Sequence, residues 1–209
     1  MTSILKVDTI QDQAGNNIIN ESSDTITIGA SGDTINIVGT LQNGGTNFLQ
    51  GITMADQWYA QQDQLLSADT VTVLTGGGTG WSRTPKTLMG SIGLNMSESS
   101  GIFSFPSTGI YLVTVSAYFN STSGVVDYMG VGTTVTINNS SYSTVNQNYN
   151  NANATDQYGG VFIADIIDVT DTANVKVKFN VSTENVNFRL LGATDNNATS
   201  FTFIRLGDT

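Results

Sequence analysis

Along much of this chain apolar and polar residues alternate one for one, the period of a β-strand with one face in a core and the other in water. Three stretches carry the pattern most cleanly. Tyr111, Val113, Val115, Ala117 and Phe119 share one face. Val131, Thr133, Val135 and Ile137 oppose Gly132, Thr134, Thr136 and Asn138, while Val175, Val177, Phe179 and Val181 oppose Lys176, Lys178 and Asn180. Residues 162–169 and 201–206 are apolar on both faces, so they need cover from the opposite sheet or from a neighbouring subunit. With 69–75 as a further strand and glycines at 76–78 as a loose loop, the pattern predicts a two-sheet β-sandwich. Tyr111, Val113, Val115, Val175, Val177 and Phe179 are expected inside it.

One segment breaks the alternation. Met54, Trp58, Leu65 and Leu66, with Ala55 and Ala60, have loosely helical spacing, and Asp56 would sit in the first turn, where a carboxylate favours the helix dipole. A short helix over 54–66 is expected, with an extended strand leading into the sandwich as its rival. Residues 40–51, rich in Gly and Asn, read as a linker.

Upstream lies a repeat. Asp24-Thr-Ile-Thr-Ile-Gly29 is followed nine residues later by Asp33-Thr-Ile-Asn-Ile-Val-Gly39, with a weaker earlier copy at Asp8-Thr9-Ile10. Each unit reads as a tiny strand with its isoleucines on one face: Ile26 and Ile28, then Ile35 and Ile37. Ordering the backbone of residues 24–39 costs more than burying four isoleucines returns, so a single copy does not stand alone. Several chains wound about an axis would join their isoleucine faces, which makes Ile26, Ile28, Ile35 and Ile37 the expected trimer core. The rival is an arm that orders only on a host surface.

Composition narrows the chemistry. Among 209 residues there is no Cys and no His, which removes disulfides, thiolate or imidazole metal ligands and every nucleophile–His arrangement. A formal net charge of -10, with few and scattered Lys and Arg, argues against nucleic acid as a partner. The start has no basic stretch leading into an apolar run, and no window approaches eighteen apolar residues. Neither a standard secretion signal nor membrane insertion is expected.

The run Gly101-Ile-Phe-Ser-Phe-Pro-Ser-Thr-Gly109-Ile-Tyr-Leu-Val-Thr-Val resembles the strand-turn-strand "Gly-x-Phe-x-x-Pro-x-x-Gly-x-Tyr" of the complement globular-head and tumour necrosis factor (TNF) jelly-roll superfamily. Phe201-Thr-Phe-Ile-Arg-Leu206 resembles that superfamily's last strand. The resemblance covers residues 68–209 in outline and implies a ten-stranded jelly roll that assembles as a trimer. The whole chain also resembles a group of marine bacteriophage virion proteins, through Ile-Leu-x-Val-Asp-x-Ile-x-Asp at residues 4–12, the Asp-Thr-Ile-x-Ile repeats and the Phe-Ile-Arg-Leu-Gly-Asp run at 203–208. It implies a particle protein whose N-terminal part binds other virion proteins while the distal head faces the host.

The expected architecture is therefore all-β: a short-strand repeat stalk or particle-attachment segment at 1–50, a linker with the short helix at 51–67, and a jelly-roll β-sandwich head at 68–209, assembled as a homotrimer. The expected function is a non-enzymatic virion fibre or spike subunit without cofactors. A polysaccharide-degrading tail enzyme and a cellular adhesin or cytokine-like ligand are the alternatives. Within 138–160, Tyr142, Tyr149 and Tyr158 stand among Asn, Gln, Ser and Thr, a mixture that stacks on sugars and bonds hydroxyls, or else a solvated variable loop. They are the candidate contacts to a host glycan or protein, with Trp81 and Arg83 as a second set. Asp165, Asp168 and Asp171 have a calcium-like spacing but read better as a turn. No pair of carboxylates is singled out for glycoside cleavage, since Glu21, Glu98 and Glu184 lie in polar, turn-like stretches. The Asn-x-Ser/Thr triplets at Asn120, Asn153, Asn180 and Asn197 are read as chance.

Overall fold

The computed structural model describes residues 9–11, 13–15, 17–22, 25–29, 32–39, 42–43, 46–47, 51–66, 72–76, 80–83 and 90–209. The chain divides into two compact units, Met1–Gln50 and Gly51–Thr209.

In the first unit β1 (Thr9–Gln11), β2 (Asn17–Ser22) and β3 (Thr25–Ile28) form an antiparallel sheet, and β4 (Gln42–Asn43) pairs with β5 (Thr46–Asn47). The first copy of the repeat is thus β3, whose Ile28 pairs with Ile19 of β2. The second copy, expected as a strand, lies outside any strand over residues 33–38. Gly29 and Gly32 both adopt positive φ, 82° and 95°, which only glycine does without strain, and this breaks the extended path after β3. Asp8 and Asp24 lie outside the described residues. Ile26, Ile28, Ile35 and Ile37 are 50–67% exposed.

The second unit is a sandwich of two antiparallel sheets. One runs β10 (Ser97–Ser99), β11 (Ile102–Ser104), β16 (Lys176–Thr183), β13 (Val126–Thr136) and β14 (Tyr142–Ala152), with β8 (Thr72–Val73) also paired to β16. The other is built on β12 (Gly109–Ser121). β15 (Tyr158–Val169) lies along one side of it, and β18 (Ser200–Gly207) and β17 (Phe188–Leu190) along the other. Beyond β18 come β6 (Ala55–Ala60) and β9 (Trp81–Ser82), and beyond β17 comes β7 (Gln64–Leu65). The expected core residues Tyr111, Val113, Val115, Val175, Val177 and Phe179 are all buried.

The familiar motif earns its residues through this core. Phe103 lies among Trp58, Phe179, Phe201 and Phe203 at ring separations of 5.3–5.7 Å, so one side chain of β11 touches aromatics from both sheets. Tyr111 packs on Phe105 at 4.7 Å, and its hydroxyl donates back to the Ser107 carbonyl at 3.0 Å, locking the turn. Gly109 is required: a Cβ there would come within 2.5 Å of the Gly207 carbonyl, at a φ of 142°.

Two further expectations fail. The helix over 54–66 is replaced by β6 and β7. Met54, Asp56, Trp58 and Ala60 are all buried, a period of two that a buried carboxylate disguises. Asp56, expected in the first turn of a helix, accepts hydrogen bonds on Oδ2 from Trp58 Nε1 (3.0 Å) and the Met96 amide (2.9 Å) and pairs with Arg83 at 3.5 Å. Ile137, expected in the core, is exposed. β13 ends at Thr136, where the Thr136 hydroxyl and the Asn138 side chain accept the amides of Ser140 and Ser141 and turn the chain.

The two sheets are also joined at one edge by side chains. Asn146, Asn148 and Asn150 of β14 donate their amides to the carbonyls of Ala164, Phe162 and Gly160 on β15, at 3.4, 3.2 and 3.0 Å. These carbonyls lie on the side of β15 away from β12, so the ladder satisfies an edge that would otherwise offer bare acceptors.

Candidate functional site

The outer face of the β14–β13–β16 sheet owes its form to a bulge. The register between β13 and β14 shifts between Thr133 and Thr134, leaving Val145 unpaired. One extra residue reverses which side chains point outward. It sends Asn146, Asn148 and Asn150 toward β15 and leaves Gln147 and Tyr149 on the outer face, beside Gly132 and Gly130.

Two of the candidate contact residues share this face. The Lys178 ammonium lies 4.2 Å from the centre of the Tyr142 ring, a cation–π contact, and burial pushes the Tyr142 phenol up from its ordinary value. Tyr149 is half exposed. Its hydroxyl donates to Gln147 Oε1 at 2.7 Å, and its ring meets Tyr128 edge-on at 6.0 Å. Tyr158 is not brought to them. It opens β15 on the other sheet, exposed, and stacks on Tyr118 at 5.7 Å.

The second candidate set lies in and against the core. Trp81 is a core residue whose ring packs on Phe201 at 4.2 Å and whose indole N–H donates to the Leu74 carbonyl. Arg83 lies 5.0 Å from the Trp58 ring centre, donates to the Met96 carbonyl at 3.2 Å and pairs with Asp56, which fixes it to the sandwich.

The described carboxylates of these stretches hold backbone amides and neighbouring asparagines. Asp171 accepts from the Ala173 amide (2.8 Å) and the Asn174 side chain (2.7 Å), forming the expected turn, while Asp165 accepts from Asn146 (2.9 Å). Glu98 accepts the Gly101 amide and Glu184 the Asp127 amide. The side chain of Glu21 lies outside the described residues. Asn120 and Asn180, heads of two of the Asn-x-Ser/Thr triplets, are buried.

A second outer face stands out on the β12–β15–β18 sheet. Leu112 lies between Ile166 and Ile204 in register, and Phe162 and Leu206 extend the same apolar surface. Phe162 is 60% and Ile166 63% exposed. The residues that gave β15 two apolar faces therefore stand in solvent in the single chain.

No family model and no curated protein matches the sequence. Among solved structures, the chain is similar to Eiger TNF from S. frugiperda at 16% identity and a TM-score of 0.56, over 76% of this chain and 96% of that one. It is similar also to murine APRIL, in crystals at pH 8.5 and 8.0, at 14% identity and TM-scores of 0.51 and 0.52, over 73% of this chain and 98% of that one. The fold is a TNF-like jelly roll. At these identities the likeness concerns architecture, and one architecture hosts many functions.

Proposed function

We propose that this chain is a non-enzymatic structural subunit of a bacteriophage particle, a homotrimeric fibre or spike whose N-terminal part binds other virion proteins and whose jelly-roll head faces the host. The observation that carries the reading is the exposure of Ile26, Ile28, Ile35 and Ile37 in the Met1–Gln50 unit. Isoleucines in water, two on the small sheet at β3 and two in the segment that follows it, call for partner chains to cover them. The likeness of residues 4–12 and of the repeats to phage virion proteins supports a particle as the source of those partners.

The apolar face over Leu112, Phe162, Ile166, Ile204 and Leu206 supports self-association of the heads, since copies of one chain are the partners always at hand. For the cytokine-like alternative the support is fold alone, and for a tail enzyme no pair of carboxylates stands out among the described residues. Quantitative mass spectrometry of purified particles tests the reading. Stoichiometric copies of the chain, in multiples of three per attachment point, are expected, and particles that lack the chain would overturn it.

A further inference from the structure

On the outer face of the β14–β13–β16 sheet, the middle strand carries glycine at two successive outward positions, Gly130 and Gly132. Neglecting side chains on a middle strand opens a trough between the side chains of its neighbours, which stand about 9–10 Å apart. Gln147 and Tyr149 form one wall and Asn180 and Ser182 the other, around a cavity of about 50 Å³. That is room for the edge of a small ring with two or three polar substituents, by the space one water occupies.

The glycines are not there for the backbone. Neither has a positive φ, and glycine inside a strand is destabilising relative to residues with a side chain. At Gly130 a Cβ would come within 2.3 Å of the Tyr149 ring, so the missing side chain lets that ring lean over the trough. At Gly132 it would meet the Asn146 carbonyl and Gln147 Cγ at 3.2 Å and would fill the floor.

A second observation points to a ligand. Asn180 is 8% exposed, its Nδ2 donates to the Thr134 hydroxyl, and its Oδ1 is buried with no hydrogen-bond partner. An unpaired buried acceptor costs free energy that a donor entering the trough would offset. The trough thus offers an aromatic face, amides and hydroxyls, and no lining residue carries a formal charge. With a net charge of -10 on the chain, an anionic ligand is disfavoured.

We infer that this trough is a binding site for one neutral pyranose unit of a glycan, with the sugar face on Tyr149 and a ring hydroxyl donating to Asn180 Oδ1, which is shielded from solvent in the free chain and turns toward the trough on binding. The inference deepens the host-contact part of the proposed function and rests on it for its biological setting.

The test is saturation-transfer NMR on the full chain with the methyl glycosides of glucose, galactose, mannose and N-acetylglucosamine. Transfer to at least one is expected, with dissociation in the millimolar range, falling at least tenfold in Gly132→Val. Gln147→Ala, at an exposed position that leaves the fold intact, should weaken binding severalfold and guards against a Gly132→Val chain that does not fold. No transfer to any of the four, or transfer unchanged in Gln147→Ala and in folded Gly132→Val, would overturn the site. The copy number in purified particles is read separately. Sugar binding by a chain absent from particles sinks the virion reading alone, and a stoichiometric virion chain without sugar binding sinks the trough alone.

Discussion

Isoleucines in regular strands of the two units of this chain can meet opposite fates. Ile163 and Ile167 of β15 are buried beneath a second sheet, whereas Ile26 and Ile28 of β3, in an equally regular strand pattern, stand largely in solvent. Strand periodicity chooses a face; it does not supply a cover. In the head the cover comes from the chain itself, through aromatic side chains of β11 and β16 meeting those of β6 and β18. In the N-terminal unit the described strands are three to six residues long or shorter, with no opposing layer among the described residues, so the same residue type is left to seek other chains.

The largest effect is expected where cover is complete. Val177 is fully buried between strands, facing Phe103 in register on β11 and Val135 on β13. Val177→Asp places a carboxylate there without a partner, and we expect a loss above about 4 kcal/mol, enough to abolish the folded head in circular dichroism. A variant that melts like the wild type would break the distinction between the units, because the head would then tolerate what only the N-terminal strands should.

Next come the faces left open. Phe162→Asp with Ile166→Asp should leave the head folded, since both side chains already meet water, yet reduce the particle mass in light scattering from three times 22.1 kDa to one. Changing Ile26, Ile28, Ile35 and Ile37 together to Ser should make residues 1–50 protease-sensitive while the head stays intact and its melting temperature is unchanged. A wild-type mass of 22.1 kDa at micromolar concentration would remove the motive for both expectations.

How much of this was legible in the sequence follows from the same contrast. The faces of β12 and β16 could be read because every inward position is apolar: Tyr111, Val113, Val115 on one, Val177, Phe179, Val181 on the other. β6 could not, because its inward set includes Asp56, and a buried acid breaks the pattern that periodicity depends on. Trp81 looked like a surface aromatic beside glycines, and only the fold shows it packed on Phe201 in the core. The jelly roll itself was legible through Phe103, Gly109 and Tyr111, residues whose spacing is fixed by a turn. The bulge at Val145, and with it which of the neighbours Asn148 and Tyr149 faces outward, depends on a pairing register that a single strand does not encode.

The asparagine ladder sharpens the comparison at a smaller scale, since it is a polar device for closing what the N-terminal unit leaves open. Asn148→Ala removes one amide from the Phe162 carbonyl. Both groups are near solvent, so water replaces part of the bond, and a loss of about 1 kcal/mol is expected from chemical denaturation. A loss above about 3 kcal/mol would mean that the ladder, rather than the aromatic core, holds the two sheets together.

The smallest effect concerns Tyr142, where the head buries a polar group that an open strand would leave in water. Its phenol is pushed up from the ordinary value of 10.0 by desolvation, despite the Lys178 ammonium above its ring. Desolvation disfavours the phenolate, so the folded chain holds this proton more tightly than the unfolded one. The sign follows: the group's contribution to stability is fully present below pH 10 and is lost as pH rises through the higher folded value. Ultraviolet titration at the phenolate band, wild type against Tyr142→Phe, isolates this residue. The difference spectrum should show an ionisation above pH 10, and Tyr142→Phe should resist alkaline unfolding slightly better than the wild type. An ionisation at or below 10 would mean that the ammonium outweighs burial, and that this face of the head is as open to water as the N-terminal strands.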